Sequence, residues 1–459
     1  MMDGTTLEDL DRRNVLKLGG SSLATALAGC TTGGSSGGGN SSSNGSKTGD
    51  LVTEDRIGSG SKSMTYWTIT PHSHQDNNKN FANTIANDFY KPWGKNHKQF
   101  KIDYEIQPSY GQLQTKLAQA VAKNNAPPIS IADSFWVPNY YKDLSPVTQQ
   151  LPDTDDWFPF VKDVAKQNGE WRTVWQNTDC RALYYRQDMI DKHGSGEAPK
   201  TWDELIQVGK KIADNEDMNG FMYNGGRWEG TTFDNLAYYW GQGGEILTDK
   251  RNPALTKGDN KQKLQNVFEF LKRTVDSGVA PKRVASIKDY NLLTKAAING
   301  DTAMFLGGNW QISSIKQEVD DWEKWKVAEI PQVEAKMSAT GSGGWTQNVF
   351  TSKNKFLSAA KDFTTMFAEK DKMAAYAKAG GYLPTRPSIF EEFDYFADDP
   401  YQQKFGKFLE NAQARPGGPI YKTFSSEFQI AAGKVLTDQA SPAQVTNTLV
   451  QNVKSEHGN

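Results

Sequence analysis

Cysteine is scarce: Cys30 and Cys180 are the only two in 459 residues. That excludes a disulfide scaffold and a cysteine-rich zinc site. Histidine is scarce too, with five in the chain, so little material exists for a metal centre. An excess of one charge is also missing. Lys and Arg number 52 against 54 Asp and Glu, a formal net charge of −2. The basic footprint of a nucleic-acid binder is absent. No apolar run reaches the roughly 18 residues that a membrane-spanning helix needs. What is plentiful is aromatic and small: 13 Trp, 17 Tyr, 22 Phe and 41 Gly. Hydrophobic residues at 37% suffice for sizeable cores, and at about 150 residues per domain the length predicts two or three domains.

The N-terminus indicates where the protein works. Arg12-Arg13-Asn14-Val15-Leu16-Lys17 has the paired arginines, spacer and apolar residues of a twin-arginine export signal. The stretch that follows is short and diluted by Gly, Ser and Thr, which marks a targeting segment. Leu27-Ala28-Gly29-Cys30 looks like a lipoprotein processing box, with small residues before a cysteine that accepts lipid. From Thr31 to Asp50, 13 of 20 residues are Gly or Ser and none is apolar, so this segment cannot bury a core. We therefore expect a signal over 1–30, lipid attachment to the bilayer through Cys30, and a flexible tether over 31–63. By the square-root scaling of Gly-rich chains the tether reaches about 30 Å.

Beyond the tether, strand and helix patterns alternate. Met64–Thr70 is β-branched and aromatic and ends at Pro71; Phe81, Ile85 and Phe89 then line one face of a helix over 78–93. Strands over 101–107 and 129–131 enclose a helix over 111–123. The order predicts an α/β fold with a parallel sheet and a ligand beyond its strand ends. Further strands fit 171–175 and 182–185. Thr201 and Glu204 have capping-box spacing ahead of a helix to about 213. Helices follow at 261–276, 290–298 and 355–368, and 400–453 is almost wholly helical in pattern.

These motifs together resemble the extracellular solute-binding proteins of ABC importers, specifically the sugar and oligosaccharide family that includes maltose-binding protein. The resemblance rests on Pro127–Asp133, Asp179–Asp188, Pro199–Leu205, Gly243–Ile246, Asn299–Trp310 and Leu383–Arg386, in that order. It implies two α/β lobes, 64–178 plus 331–383 and 179–330 plus 384–459, joined by a hinge of the Venus-flytrap type. It also implies a monomer that hands its ligand to ABC permease subunits, with no enzymatic activity and no cofactor.

A neutral sugar is held by hydrogen bonds to its hydroxyls and by rings against its C–H faces. Candidate residues are thus carboxylates beside aromatics in loops after strands. Asp133 and Trp136 fit best by local sequence. Asp179 sits at the expected first crossing, and Trp228-Glu229 follows Gly225-Gly226. Trp310 and Trp345 each follow glycines and match positions where the family stacks a Trp on sugar. Arg386 matches a position that forks hydroxyls. Ser73 and His74 lie in the first ligand loop; His72 and His74 lack a third ligand, so no metal is expected. Two other readings are a peptide, polyamine or other polar solute as ligand, and an anchored glycosidase with paired carboxylates.

Overall fold

The computed structural model describes residues 51–458, so the signal, Cys30 and the first part of the tether lie outside the described residues. Its strands in chain order are β1 (Arg56–Ile57), β2 (Lys62–Ile69), β3 (Phe100–Gln107), β4 (Ile129–Asp133), a small separate pair β5 (Lys166–Gln167) and β6 (Glu170–Trp171), then β7 (Val174–Arg186), β8 (Met304–Gly308), β9 (Trp325–Ala328), β10 (Thr340–Val349) and β11 (Ala412–Ala414). All except β5 and β6 join one nine-stranded sheet in the order β1-β3-β2-β4-β10-β7-β8, with β11 beside β10 and β9 beside β7. The helices complete an α/β fold, as expected.

The sheet is mixed where a parallel one was expected. β2 runs parallel to β3 and to β4, in keeping with the helices that connect them. β10 is antiparallel to both β4 and β7, and β7 is antiparallel to β8 and β9. The two strand patterns at 171–175 and 182–185 prove to be mainly one 13-residue strand, β7, nearly all of it buried. Burial on both faces removes the alternation that would have shown its full length. Its first half pairs with β10 and its second half with β8 and β9, so one strand runs through the expected crossing at 178/179. There Thr178 exchanges backbone hydrogen bonds with Leu383, N to O at 2.7 and 3.0 Å, next to the expected crossing at 383/384.

Several boundaries also move. The folded body begins within the expected tether, because Ile57 is fully buried and β1 pairs with Ile102–Asp103 of β3. The helix expected over 78–93 runs as Lys79–Thr84, a π-helical turn Ile85–Tyr90, and Lys91–Asn96, with the Asn78 side chain capping its start. The capping box forms as read: Thr201 and Glu204 each accept the other's backbone N–H. The C-terminal segment is three helices, Pro400–Glu410, Gly418–Leu436 and Pro442–His457, interrupted by β11. Among the described residues no helix is long and apolar enough to cross a membrane. Cys180 is fully buried, and that burial raises its thiol pKa, as suits a small apolar side chain.

Candidate functional site

The site starts from the register of three neighbouring strands. Asp133 at the end of β4 pairs with Trp345 of β10, and Trp345 pairs with Asn177 of β7. Side chains alternate along a strand, so Gly341, Gly343 and Trp345 share one face with Asn177, Asp179 and Arg181. Two glycines leave that face bare. Phe233, from the helix Glu229–Trp240, fills the space: a Cβ on Gly341 would lie 2.7 Å from its ring, and one on Gly343 would lie 3.1 Å from both Phe233 and the Arg415 guanidinium. Arg181 and Arg415 each pack on the Phe233 ring at 4.1 Å.

Each arginine organises a buried ionic group. Arg181 donates to Asp234 through Nε at 2.6 Å, to Asp179 through Nη1 at 2.8 Å and to the Tyr290 hydroxyl through Nη2 at 2.9 Å. Asp234 is fully buried and also accepts from Asn224 and Tyr290. Arg415 donates to both oxygens of Asp133, at 2.9 and 3.2 Å, and to Glu229 at 3.1 Å. Glu229 further accepts from Tyr421 and Ser425, each at 2.6 Å. Burial raises the carboxyl pKa of Asp133, while Arg415 pulls it back down. Backbone N–H of Phe135 donates to the same carboxylate, so Asp133 caps the turn after β4 as well.

Aromatic rings border these groups. Tyr110, Trp136 and Trp345 meet edge to face, with centroids 4.8, 5.9 and 6.0 Å apart, and the Trp136 indole donates to the Tyr110 hydroxyl. Trp228 and Trp310 meet Tyr290 at 5.1 and 5.0 Å, beside Arg181. A cavity of about 530 Å³ opens next to the first group, lined by Tyr110, Trp136, Glu229, Tyr421 and Ser425 among others. Its size and its mixture of rings and polar groups suit a small-molecule seat. A second groove, of about 300 Å³ between His193 and Lys211, has no Trp, Tyr or Phe in its lining. Among the described residues no group of three or more His, Cys, Asp or Glu is placed to hold a metal ion.

The structure thus brings Asp133, Trp136, Trp345 and Glu229 together around Arg415, and Asp179, Trp228 and Trp310 around Arg181. Three other predicted residues sit differently. Arg386 is fully buried and donates to Asp153, Asp156 and the carbonyl of Ala368, so it acts as an internal cross-link. Ser73 is spent in its own turn, donating to the Thr70 carbonyl and accepting from Gln75 N–H. His74 turns toward the core, its ring nitrogen 2.9 Å from the Thr53 carbonyl and its face on Tyr104. His72, the last residue of the 3₁₀ turn Thr70–His72, is the loop histidine that meets Trp345, at 4.7 Å. Sequence reasoning missed Arg181, Asp234, Tyr290 and Arg415. Arg181 was findable, since two residues past Asp179 on a strand places it on the same face; Asp234 and Tyr290 lie 53 or more residues from Arg181, and Arg415 lies 282 from Asp133.

A probable ABC transporter-binding protein of Deinococcus radiodurans is 23% identical over 376 residues, covering 79% of this chain and 87% of the relative. A maltotriose-binding protein of Pyrococcus abyssi is 22% identical over 347 residues, covering 74% and 71%. Among solved structures, maltose-bound MalE3 of T. maritima superposes with a TM-score of 0.71 at 21% identity, covering 86% of this chain and all of that one. The sugar-binding protein MalE of Xanthomonas citri gives 0.72 at 21% identity, covering 86% and 97%. The fold is the two-lobed one of these proteins. The family described as bacterial extracellular solute-binding proteins matches residues 87–404, and the chain belongs to that family.

Proposed function

We propose that the chain captures a sugar or oligosaccharide outside the cytoplasmic membrane and delivers it to the permease subunits of an ABC importer. The observation that carries this reading is the set of indole and phenol rings bordering fixed carboxylates at one cavity. Asp133 and Glu229 both bond to one buried guanidinium, that of Arg415, and are oriented before any ligand arrives. Trp345, Trp228 and Trp310 supply faces for pyranose C–H groups, the buried Trp136 backs Trp345 edge to face, and Asp179 supplies a further acceptor. Relatives named for maltotriose and lactose support the same ligand class. Arg386, Ser73 and His74 have no part in the proposed seat.

The lobes 64–178 plus 331–383 and 179–330 plus 384–459 would close on the ligand, with Thr178 and Leu383 at the hinge. Export by the twin-arginine signal in 1–30 and lipid attachment at Cys30 belong to the same proposal, as does a monomeric state.

The test is a calorimetric titration with maltose, maltotriose and lactose, beside short peptides and polyamines. Binding of at least one sugar is expected, with a raised melting temperature. Trp345→Ala is expected to weaken it by about 10- to 100-fold, the loss of a stacked ring worth roughly 1–3 kcal/mol, and to lower the unliganded melting temperature through its lost contacts with Tyr110 and Trp136. Silence with every sugar alongside tight binding of a peptide or polyamine would overturn the reading.

A further inference from the structure

One buried chain of hydrogen bonds runs from the lobe core to the aromatic wall. His72 is 4% exposed and lies between Trp345 at 4.7 Å and Tyr382 at 5.2 Å. Its Nδ1 is 2.7 Å from the hydroxyl of Tyr376. That hydroxyl accepts from Gln176 Nε2 at 2.8 Å, and Gln176 Oε1 accepts from Gln347 Nε2 at 2.7 Å. Gln347 Nε2 also donates to the Tyr66 hydroxyl at 2.9 Å. Every member of the chain is buried.

The polarity of this chain determines where the His72 proton resides. Gln347 donates at both ends of its contacts and leaves one buried oxygen without a partner. Reversing the chain would put an NH₂, with two hydrogens, in that same unpartnered position, which costs more than one unmet acceptor. With the observed polarity the Tyr376 hydroxyl already receives a hydrogen from Gln176, so its own hydrogen goes to His72 Nδ1. Nδ1 is then the acceptor and Nε2 carries the proton. Among the described residues Nε2 has no hydrogen-bond partner. Asn309 donates to the Gly381 carbonyl at 3.2 Å, which joins the segment before Trp310 to the segment before Tyr382 and so brings the two aromatic groups together here.

We propose that His72 is a neutral hydrogen-bond donor to the ligand, its proton fixed on Nε2 by the Tyr376–Gln176–Gln347–Tyr66 chain, with Tyr376 as the positioning residue. This deepens the sugar-capture reading and rests on it. A donor with no free acceptor takes a ligand oxygen that offers a lone pair, whether hydroxyl, ring or glycosidic. It rejects an ammonium group, which separates sugars from polyamines at this point of the cleft. The charged and titratable groups around His72 are Asp76 of its own loop, Tyr376, Tyr382 and, acting on Tyr382, Asp179 of β7. Burial lowers the His72 pKa to about 3, so the donor stays neutral from pH 5 to 8.

The experiment uses the full mature chain and whichever sugar binds it best in the titration above. If no sugar binds, the capture reading itself fails; if one does, the following outcomes bear on His72 alone. His72→Gln, whose amide nitrogen reaches the Nε2 position, is expected to keep affinity within about threefold. His72→Asn, which reaches only the Nδ1 position, and His72→Ala should each lose about tenfold, roughly one hydrogen bond. The wild-type affinity advantage over His72→Ala should stay constant from pH 5 to 8. Long-range ¹H–¹⁵N spectra of the wild-type histidines should show His72 as the Nε2–H tautomer, and Tyr376→Phe should shift it toward a mixture. Equal losses in the Gln and Asn variants, an advantage that vanishes by pH 5.5, or an Nδ1–H tautomer in the wild type would each overturn the proposal.

Discussion

Arg415 is 4% exposed and answers two carboxylates from separate parts of the chain, Asp133 and Glu229, while packing on Phe135 and Phe233. A buried ion pair contributes little net stability, but removing one partner strands the other charge. Arg415→Ala is therefore expected to lower unfolding free energy by about 3–5 kcal/mol, and adding Asp133→Asn should recover part of that loss in denaturant titrations. His72 gives a second prediction at this scale. Its folded pKa of about 3 lies below the ordinary value of 6.5, so on acidification the unfolded chain takes up the proton first. Its contribution is whole above pH 6.5 and declines toward pH 3, by up to about 1.4 kcal/mol per unit. The stability gap between wild type and His72→Gln should shrink by about 2 kcal/mol between pH 7 and pH 5. A constant gap in urea titrations at the two pH values would show that His72 does not stay neutral.

β10 decides the site at the scale of elements. Gly341 and Gly343 make room for Phe233, and Gly344 has a φ of +149°, where a Cβ would collide with the Asn177 carbonyl and the Trp175 indole. The register also shifts between Trp345 and Thr346, which ties the indole's direction to this irregular stretch. Gly344→Ala is expected to destabilise the fold by about 2–4 kcal/mol and to disturb the Trp345 environment in near-ultraviolet circular dichroism. A melting temperature unchanged within a degree would refute that account. Much of this scale was readable in advance. The capping box at Thr201 and Glu204 and the helix Tyr290–Ile298 formed as expected, because caps and apolar spacing act over a few residues. The 3₁₀ turn at Thr70–His72 was not readable, and it sets His72 against Trp345 while the expected site histidine, His74, turns to the Thr53 carbonyl.

The whole molecule joins a folded body to an N-terminal segment whose sequence predicts export and lipid attachment. Cys30→Ser is expected to move the protein from the membrane fraction to the soluble fraction, with sugar affinity unchanged; a variant still in the membrane fraction would remove the anchor. What the sequence determined by itself is local or cumulative. Elements follow from periodicity, the expectation of export from the ordered run Arg12-Arg13 to Cys30, and the family from motifs spread between Pro127 and Arg386. It also singled out Asp133, Trp136 and Trp345, which the fold brings close to one another, because a carboxylate and rings after a strand are short-range signals. Only the tertiary structure decided that Arg415 bridges Asp133 and Glu229, that Arg181 meets Asp234 and Tyr290, and that Arg386 is an internal cross-link. Those pairings join residues up to 282 positions apart. Charge pairing across such separations depends on which strands lie side by side, and no local pattern of residues encodes that neighbourhood.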